Sequence, residues 1–416
     1  MKAVLLRILA VDSFVPTDKN EKWLAIGTVI DTFGNGLFYT VSALYFTRVI
    51  GLSAQEVGVG LAIAAFGGIS ASLIFGRLAD IWGPRGLAVY VTFICAIVDF
   101  FYLFANNFLS FVVIASLISF LDRGGAAGRT VIISRVGGPD GRVRIRAYLR
   151  AVTNVGIGLG SFVAGFALVV DEAWAYQAII IVNALTTFAK TYANWKMPNF
   201  PPLPGAKHEK ATRALRDKPF VALTLANAVL AIHYHMLDLA VPLWIASQTK
   251  APTWVVAAAL LLNTIACVLF QVRMAQGTEN PIDAGRATRQ GSYWLAIATA
   301  VYAASTYANS PALAAFVILA GSAVHVTGEL RQAAGSFGIG YGIPPEHLQG
   351  QYQGVWSLSL SASHFVSPIV LTFLCIGLGV PGWLILGGIF LLMGAITPPL
   401  VKLAIKSQVD GAAANG

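Results

Sequence analysis

Long apolar runs separated by short polar loops occupy nearly the whole chain. A transmembrane helix takes about 20 apolar residues, and about twelve segments of that kind can be laid along the sequence. The predicted segments, numbered 1 to 12, are residues 23–46, 57–76, 87–105, 108–130, 148–170, 174–195, 220–246, 254–274, 291–308, 311–332, 353–379 and 382–402. The pattern therefore predicts an all-α integral membrane protein.

The composition favours membrane-spanning helices over the core helices of a soluble protein. Hydrophobic residues make up 56% of the chain and charged residues 11%, and the mean hydropathy is +0.71. Cys95, Cys267 and Cys375 all lie within predicted segments, which suits apolar packing and gives neither a disulfide framework nor a metal-ligand spacing. We expect no cofactor.

The basic residues predict the orientation of the chain. Arg48 and Lys250 fall in loops on one side and Arg123 inside segment 4, which leaves the rest of the 28 Lys and Arg residues for the other side. By the positive-inside rule that side is the cytoplasm, so both termini are predicted to be cytoplasmic in the cell membrane. The net charge of +9 is then a topology signal and needs no nucleic-acid partner. Residues 1–11 have an apolar run broken by Arg7, and we interpret them as an interfacial lead-in rather than a cleaved signal.

An internal repeat divides the chain into halves. Asp122 with the glycine- and alanine-rich residues 125–128 of segment 4 matches Glu329 with residues 332–335 of segment 10. We predict an N-terminal six-helix bundle, a proline-rich cytoplasmic linker, a C-terminal six-helix bundle and a monomer. The predicted boundaries are residues 1–195, 196–219 and 220–416. Parallel halves with a site at their interface describe one class of secondary transporters.

The loop between segments 2 and 3 has a recognisable motif, Gly76-Arg77-Leu78-Ala79-Asp80-Ile81-Trp82-Gly83-Pro84-Arg85. With this loop, twelve segments and two halves, the chain resembles the major facilitator superfamily, whose signature here is G-x-L-A-D-x-x-G-x-[RK]. The family commonly has a basic residue after the aspartate, where this chain has Ile81. The resemblance implies the major facilitator fold and transport by alternating access.

The resemblance also implies a cytoplasmic gate built on Gly76, Asp80, Gly83 and Arg85. In the family the motif aspartate meets the start of helix 11 and an arginine from the helix 4 side in the outward-open state. By position these partners are the region near Gly350 and an arginine. The candidate arginines are Arg135, Arg142 and Arg144. The alternative is that Asp80 only caps the end of helix 2.

Ionisable residues within the apolar segments occur mainly in every third segment. The members are Asp31 in segment 1, Asp122 and Arg123 in segment 4, His233, His235 and Asp238 in segment 7, and His325, Glu329 and Arg331 in segment 10, with Asp99 and His364 as exceptions. A charge at the bilayer centre costs at least about 2.5–3.5 kcal/mol, so it is kept where it faces a partner or a water-filled cavity. Segments 1, 4, 7 and 10 are therefore predicted to line a central cavity.

Segment 1 offers a candidate proton carrier. Asp31, Asn35 and Tyr39 lie on one helical face, and Asp31 is roughly 14 Å from the cytoplasmic start. A carboxyl desolvated at that depth suits proton uptake and release near neutral pH. A structural carboxyl hydrogen-bonded to a neighbouring helix is the alternative.

Segments 4 and 10 offer a second polar region. Asp122 and Glu329 occupy equivalent places in the two halves, and His325 shares the face of Glu329. We expect Asp122 and Glu329 to lie near each other, with Arg123 and Arg331 neutralising one or both. An inter-half latch and a substrate site are both open.

The histidines of segment 7 are close together in the sequence, as in a metal site, but a helix does not place them all on one face. At 100° per residue His235 and Asp238 share a face, and His233 lies 140° from Asp238. No HExxH pattern occurs in the chain. We therefore predict a polar lining for substrate or protons, with no metal.

The predicted function is secondary transport of a small molecule, coupled to protons. The chain has no G-x-x-x-x-G-K-[ST] loop, so ATP is not the direct energy source. Gly156 and Gly160 form a small-residue face on segment 5, as in antiporters of the superfamily, although those have Gly-Pro where this chain has Gly160-Ser161. Resemblance to the drug and metabolite efflux branch implies export, and import of a small solute is the alternative. An intramembrane enzyme or lipid-handling accessory protein lacks a supporting nucleophile constellation.

Overall fold

The computed structural model describes residues 16, 18–203, 210 and 212–413. The predicted lead-in at residues 1–11 lies outside the described residues. Across the described ranges the ordered elements are all helical, without a strand. This confirms the prediction of an all-α fold.

Twelve long helices follow one another in the order predicted. Their bounds are α1 Lys19–Leu44, α2 Ala54–Trp82, α3 Pro84–Asp99, α4 and α5 within Phe108–Val170, α6 Ala173–Trp195, α7 from Lys218 to Gln248, α8 Trp254–Ala275, α9 Pro281–Ala304, α10 Pro311–Gly342, α11 Gln349–Leu371 and α12 Val380–Ala413. Eight helical stretches in the described part of the chain are long and apolar enough to cross a membrane, and one of these is the joined α4–α5 stretch. A short helix, Arg213–Arg216, lies in the linker.

Local sequence signals explain where several helices begin. Ser53 accepts a hydrogen bond from the backbone of Glu56 while the Glu56 side chain accepts one from the backbone of Ser53, a capping box that starts α2. Asn280 caps α9, and Pro281 follows at the first helical position, where its missing N–H costs nothing.

Helices α4 and α5 are longer than predicted because both continue past the apolar region. Gly138 breaks the stretch with a φ of +58°, a conformation that glycine adopts without strain, and Pro139 opens the next helix. We take α4 as 108–137 and α5 as 139–170. Hydropathy marks only the apolar part of a helix, so the polar ends were predicted as loop.

Helix α7 is irregular in its middle. An α-helical stretch Lys218–Leu230 is followed by the 3-10 stretch Ala231–His235, the π-helical stretch Met236–Ala240 and the α-helical Val241–Gln248. The angular step per residue therefore changes twice. The angle of 140° predicted between His233 and Asp238 assumes a step of 100° per residue, which this irregular stretch does not keep.

The largest apolar cores each belong to one half of the chain. One is built around Phe46 and Phe111 by α1, α2, α4, α5 and α6 with the 3-10 stretch Phe100–Phe104, and the other by α7 to α12 around Trp244 and Trp383. Residues of both halves pack together in a smaller cluster, where Val143 and Ala147 of α5 meet Ala275 and Ala334. These four residues lie toward the ends of α5, α8 and α10 on the side of the chain termini, so the halves are joined on that side.

Candidate functional site

Asp80 joins the two halves at the end of α2. Its Oδ1 accepts a hydrogen bond of 2.8 Å from the backbone N–H of Gly350, and its Oδ2 accepts one of 2.8 Å from that of Gln351. These N–H groups open α11, where the helix dipole favours a carboxylate. Arg135 lies close enough to interact with Asp80 electrostatically. The contact that the motif implied is thus present, and Asp80 bonds a helix of the other half.

Three glycines let α2 and α11 approach backbone to backbone at this contact. A Cβ on Gly76 would overlap the carbonyl oxygen of Gly350, and one on Gly350 would overlap that of Gly76. A Cβ on Gly354 would lie 2.5 Å from the Ser72 carbonyl oxygen, closer than real Cβ contacts. Side chains at these positions would force the helices apart.

The rest of the motif holds the N-terminal half together. Gly83 has a φ of +97° and turns the chain from α2 into α3. Arg85 donates to the carbonyl oxygen of Trp195 at the end of α6, at 3.1 Å from Nε and 2.7 Å from Nη2. Of the candidate arginines, Arg135 matches the expected partner of Asp80, because it interacts with Asp80 electrostatically. Arg144 instead forms an ion pair with Glu21.

A buried lysine links the acidic residues of the N-terminal half. Nζ of Lys190, on α6, lies 3.1 Å from Asp31 Oδ2 and 3.4 Å from Asp122 Oδ1. The side chain of Lys190 is 7% exposed, that of Asp31 is 15% exposed and that of Asp122 is 53% exposed. One end of this triad is therefore enclosed, and the other opens to a cavity.

The two carboxylates of the triad form part of the wall of a cavity of about 250 Å³ between helices of the N-terminal half. Its polar lining includes Asp31, Asn35, Tyr39, Asp99, Asp122 and Arg123. Asp99 accepts a hydrogen bond of 2.9 Å from the hydroxyl of Thr187. The stripe predicted on segment 1 thus faces a cavity together with residues of segment 4.

A second ion pair crosses between the halves. Nη2 of Arg150, on α5, lies 2.6 Å from Glu329 Oε1 on α10, and Asn263 of α8 donates to Glu329 Oε2 at 2.7 Å. Arg150 Nη1 also donates to the hydroxyl of Tyr234 at 2.7 Å. Both carboxylate oxygens of Glu329 are satisfied, as a buried charge requires.

Arg150 and Tyr234 line a cavity of about 290 Å³ between the two halves. Other lining residues come from α4, α5, α7, α10 and α11 and include Thr153, Asn227, Gln332, Gln353 and Trp356. Aromatic walls with a few amide and hydroxyl groups are typical of small-molecule sites. This cavity lies on the Arg150 side of Glu329.

The polar groups of α7 divide between two environments. Nδ1 of His235 lies 3.3 Å from Asp238 Oδ2, and the His235 ring packs at 4.6 Å against the His364 ring. His364 also lies within electrostatic range of Arg123 from the other half. His233 points elsewhere, into the core beside Gln332 and His325.

A family model described as Major Facilitator Superfamily matches residues 24–368. The chain belongs to this superfamily. No match to a curated protein sequence reached significance.

Several solved structures of transporters share the fold of this superfamily member. A human organic anion transporter has a TM-score of 0.71 at 12% identity, covering 93% of this chain and 100% of its own. A bacterial homologue of the iron transporter ferroportin, in an outward-facing state, has a TM-score of 0.72 at 13% identity, covering 93% and 99%. A proton:xylose symporter has a TM-score of 0.66 at 12% identity, covering 92% and 95%. These likenesses show the fold, and membership of the superfamily makes the chain a membrane transporter rather than an enzyme.

The expected partners of the two central carboxylates were wrong in this conformation of the transporter. Asp122 is neutralised by Lys190 and Glu329 by Arg150. Arg331 instead donates to Gln290 Oε1 at 3.0 Å and to the carbonyl oxygen of Met274 at 2.9 Å. Equivalent positions in a repeat keep the acidic residue but do not keep its partner.

Not all of the basic residues counted on the side of the termini lie in loops. Lys190, Arg129 and Arg150 are buried or half-buried within the helix bundles, although sequence reasoning assigned them to the cytoplasmic side. Arg129 donates to the carbonyl oxygen of Leu24 at 2.7 Å. A lone Lys or Arg near the end of an apolar run has the same appearance in the sequence whether it reaches toward water or folds back to an acid.

His325 was predicted to share a face with Glu329 and to line the cavity; it lies one turn from Glu329 on α10, as predicted, but both side chains are buried away from the cavity walls. The His325 side chain is fully buried, with Nδ1 at 3.4 Å from the Tyr302 hydroxyl. Of the functional residues that sequence reasoning missed, Arg150 and Lys190 stand out. The sequence signal for them is an excess of acidic residues within apolar segments. A buried carboxylate needs a positively charged partner, which has to come from another helix.

Proposed function

We propose that this transporter is a proton-coupled exporter of a small amphipathic molecule in the cell membrane, with both termini in the cytoplasm. The observation that carries the proposal is the Asp31–Lys190–Asp122 triad. Two carboxylates lie within ion-pair distance of one ammonium group. When one carboxylate is protonated, Lys190 pairs with the other. Proton uptake would therefore change how α1, α4 and α6 attract one another.

Asp31 is the proposed proton carrier and Asp122 the proposed point of contact with substrate. Asp31 is the more enclosed of the two, and a charge there is the costlier to leave without a counter-ion. Asp122 is half-exposed to the cavity, where a bound molecule can compete for it. Competition of this kind is how one ligand expels another in an antiporter.

Asp80 and the helix contact around it form the proposed gate on the cytoplasmic side. The contact joins α2 of one half to α11 of the other, and close packing at Gly76 and Gly350 reinforces it. Breaking it would let the halves separate on that side. The Arg150–Glu329 ion pair is a second inter-half connection that would have to change during alternating access.

The proposed direction of transport, export, rests on the resemblance to the efflux branch. Gly156 and Gly160 of α5 pack directly on α1, since a Cβ on either would overlap Thr32 or the backbone of Phe33. This contact places the helix of Asp31 against the glycine face of α5. Import remains the second candidate, and the sign of coupled flux separates the two.

Proteoliposomes holding the purified protein provide the test. A pH gradient, acid inside, is imposed with the membrane potential clamped, and movement of ethidium, a fluorescent amphipathic cation of fixed charge, is followed. Antiport moves the probe toward the acidic side, and symport moves it toward the alkaline side, whichever way the protein is inserted. Proton movement is recorded in parallel with an enclosed pH dye.

A series of anionic, neutral and cationic amphipathic probes is run in the same way. Proton-driven accumulation on the acidic side supports the proposal. Equilibration of every transported probe without any response to the gradient would contradict proton coupling, and accumulation on the alkaline side would replace export with import.

A further inference from the structure

Three buried side chains of the C-terminal half converge beside the inter-half ion pair. His233 lies in the 3-10 stretch of α7, and His325 and Glu329 lie one turn apart on α10. Each residue offers one ligand atom, and these atoms all lie within 4.8 Å of one another. Such a convergence of imidazole and carboxylate groups is the donor set of a transition-metal site.

The hydrogen bonds of the two imidazoles fit that role. His233 Nε2 lies 3.3 Å from Gln332 Oε1, and His325 Nδ1 lies 3.4 Å from the Tyr302 hydroxyl. The other nitrogen of each ring, His233 Nδ1 and His325 Nε2, is buried. Within the part of the chain that the structure describes, His233 Nδ1 has no hydrogen-bond partner, and the backbone of His233 lies beside the His325 ring. A metal-ligating histidine characteristically has its second nitrogen held by an outer group, as both rings have here.

We propose that His233, His325 and Glu329 bind a late first-row transition-metal dication, with Zn²⁺ as the reference ion, and that this ion competes with Arg150 for Glu329. Two imidazoles and one carboxylate suit Zn²⁺, whereas Mg²⁺ and Ca²⁺ select oxygen ligands. Cys267 lies next to the site, with Sγ 3.8 Å from Glu329 Oε1, and adds a soft donor.

The competition follows from charge. In this conformation Glu329 accepts from Arg150 at 2.6 Å, so an ion on the same carboxylate would stand beside a guanidinium. Like charges at that separation repel strongly in a buried site. Ion binding is therefore favoured in a state where Arg150 has moved away, and the ion shifts the population toward that state. Arg150 and Tyr234 line the cavity and separate it from Glu329, so movement of Arg150 also gives a dication in the cavity a route to that carboxylate.

The site is tested by measuring Zn²⁺ binding to the full chain in detergent, in competition with a chromophoric chelator. The protein is purified on a tag that contains no histidine. We expect His233→Gln and His325→Gln each to lose at least about tenfold in affinity. His235→Gln is the matched control, because His235 follows on the same helix, pairs with Asp238 and lies outside the site. It should bind Zn²⁺ as the unmodified protein does.

Arg150→Gln tests the competition. Removing the guanidinium should tighten Zn²⁺ binding by about tenfold, a coupling within the usual allosteric range. Co²⁺ gives a second measurement, because visible absorption bands from imidazole and carboxylate ligation should appear in the unmodified protein and be absent from His325→Gln. Size-exclusion profiles and helical circular dichroism show that each variant is folded.

Two results would overturn the inference. Equal Zn²⁺ affinity in the unmodified protein, His233→Gln and His325→Gln would remove the site. Unchanged affinity in Arg150→Gln would remove the competition. Neither measurement involves a transported substrate, so a failure here is distinct from a failure of the proposed proton-coupled export.

Discussion

Lys190 shows how a buried charge in this protein obtains its partner from a helix that the sequence pattern does not mark. The acidic residues Asp31 and Asp122 were predictable, because an acid inside an apolar run has no other reading than a functional or paired group. Lys190 and Arg150 were not, because a basic residue in a membrane helix has a long stem that reaches water from several positions. The direction of that stem is decided by side-chain packing between helices, which a hydropathy pattern does not predict.

Asp31→Asn should separate exchange from accumulation. The amide resembles the protonated carboxyl, so we expect downhill exchange of a transported probe to continue while accumulation against a gradient falls to the level of empty liposomes. Proteoliposome flux with and without a pH gradient measures both. Asp99→Asn is the control, since Asp99 is buried in the same cavity but bonds Thr187, and it should keep its coupling. Gradient-driven accumulation by Asp31→Asn would move the role to another carboxyl.

Arg150→Gln should destabilise the protein by leaving Glu329 buried without a counter-charge. Loss of one partner of a buried ion pair costs about 3–5 kcal/mol, and removal of both is often nearly neutral. We therefore expect a lower apparent melting temperature for Arg150→Gln in detergent with chelator present, and recovery of most of it in Arg150→Gln with Glu329→Gln. Equal stability of the single variant and the unmodified protein would show that the pair is not formed in solution.

Among the elements, the long helices were predicted, and local changes of helix type within them were not. In helix α7 the pairing of His235 with Asp238 and the separation of His233 from them agree with the prediction, but the 3-10 and π-helical stretches that contain these residues were not predicted. Nothing in hydropathy indicates such a change. The motif between α2 and α3 succeeded for the opposite reason, since its glycines and Asp80 serve a backbone contact that tolerates little substitution.

Gly350→Ala should weaken the contact between α2 and α11. The new Cβ would overlap the Gly76 carbonyl oxygen, and overpacking of this kind costs about 1–3 kcal/mol. Spin labels at Trp82→Cys and Glu346→Cys, both exposed near this contact, should then report a longer or broader distance distribution. Gly86→Ala is the control, because a Cβ there meets nothing within 4 Å. An unchanged distribution in Gly350→Ala would mean that the helices accommodate the methyl group.

At the scale of the whole molecule, the end at which the halves are joined defines its conformation. The mixed cluster around Val143 and Ala334 and the Asp80 contact lie on the side of the termini, while the two large cores are each formed by one half. The two-half arrangement was predictable from the repeat. Which end is joined was not, because the same sequence must form both states with free energies that differ by little.

Asp80→Asn should shift this balance toward the state that is open on the side of the termini. The amide loses the charge that attracts the N-terminus of α11, and its NH₂ group would face a backbone donor. Tyr39 is 64% exposed in the cavity on the opposite side, so a thiol in Tyr39→Cys should react readily with a maleimide that does not cross membranes, whereas the three native cysteines are buried. Because closing that side hides the thiol, we expect slower labelling when Asp80→Asn is added, with turnover reduced more than probe affinity. Arg77→Gln, a change of charge within the same motif, should label as fast as Tyr39→Cys alone. Equal rates with and without Asp80→Asn would reduce Asp80 to a cap on α11.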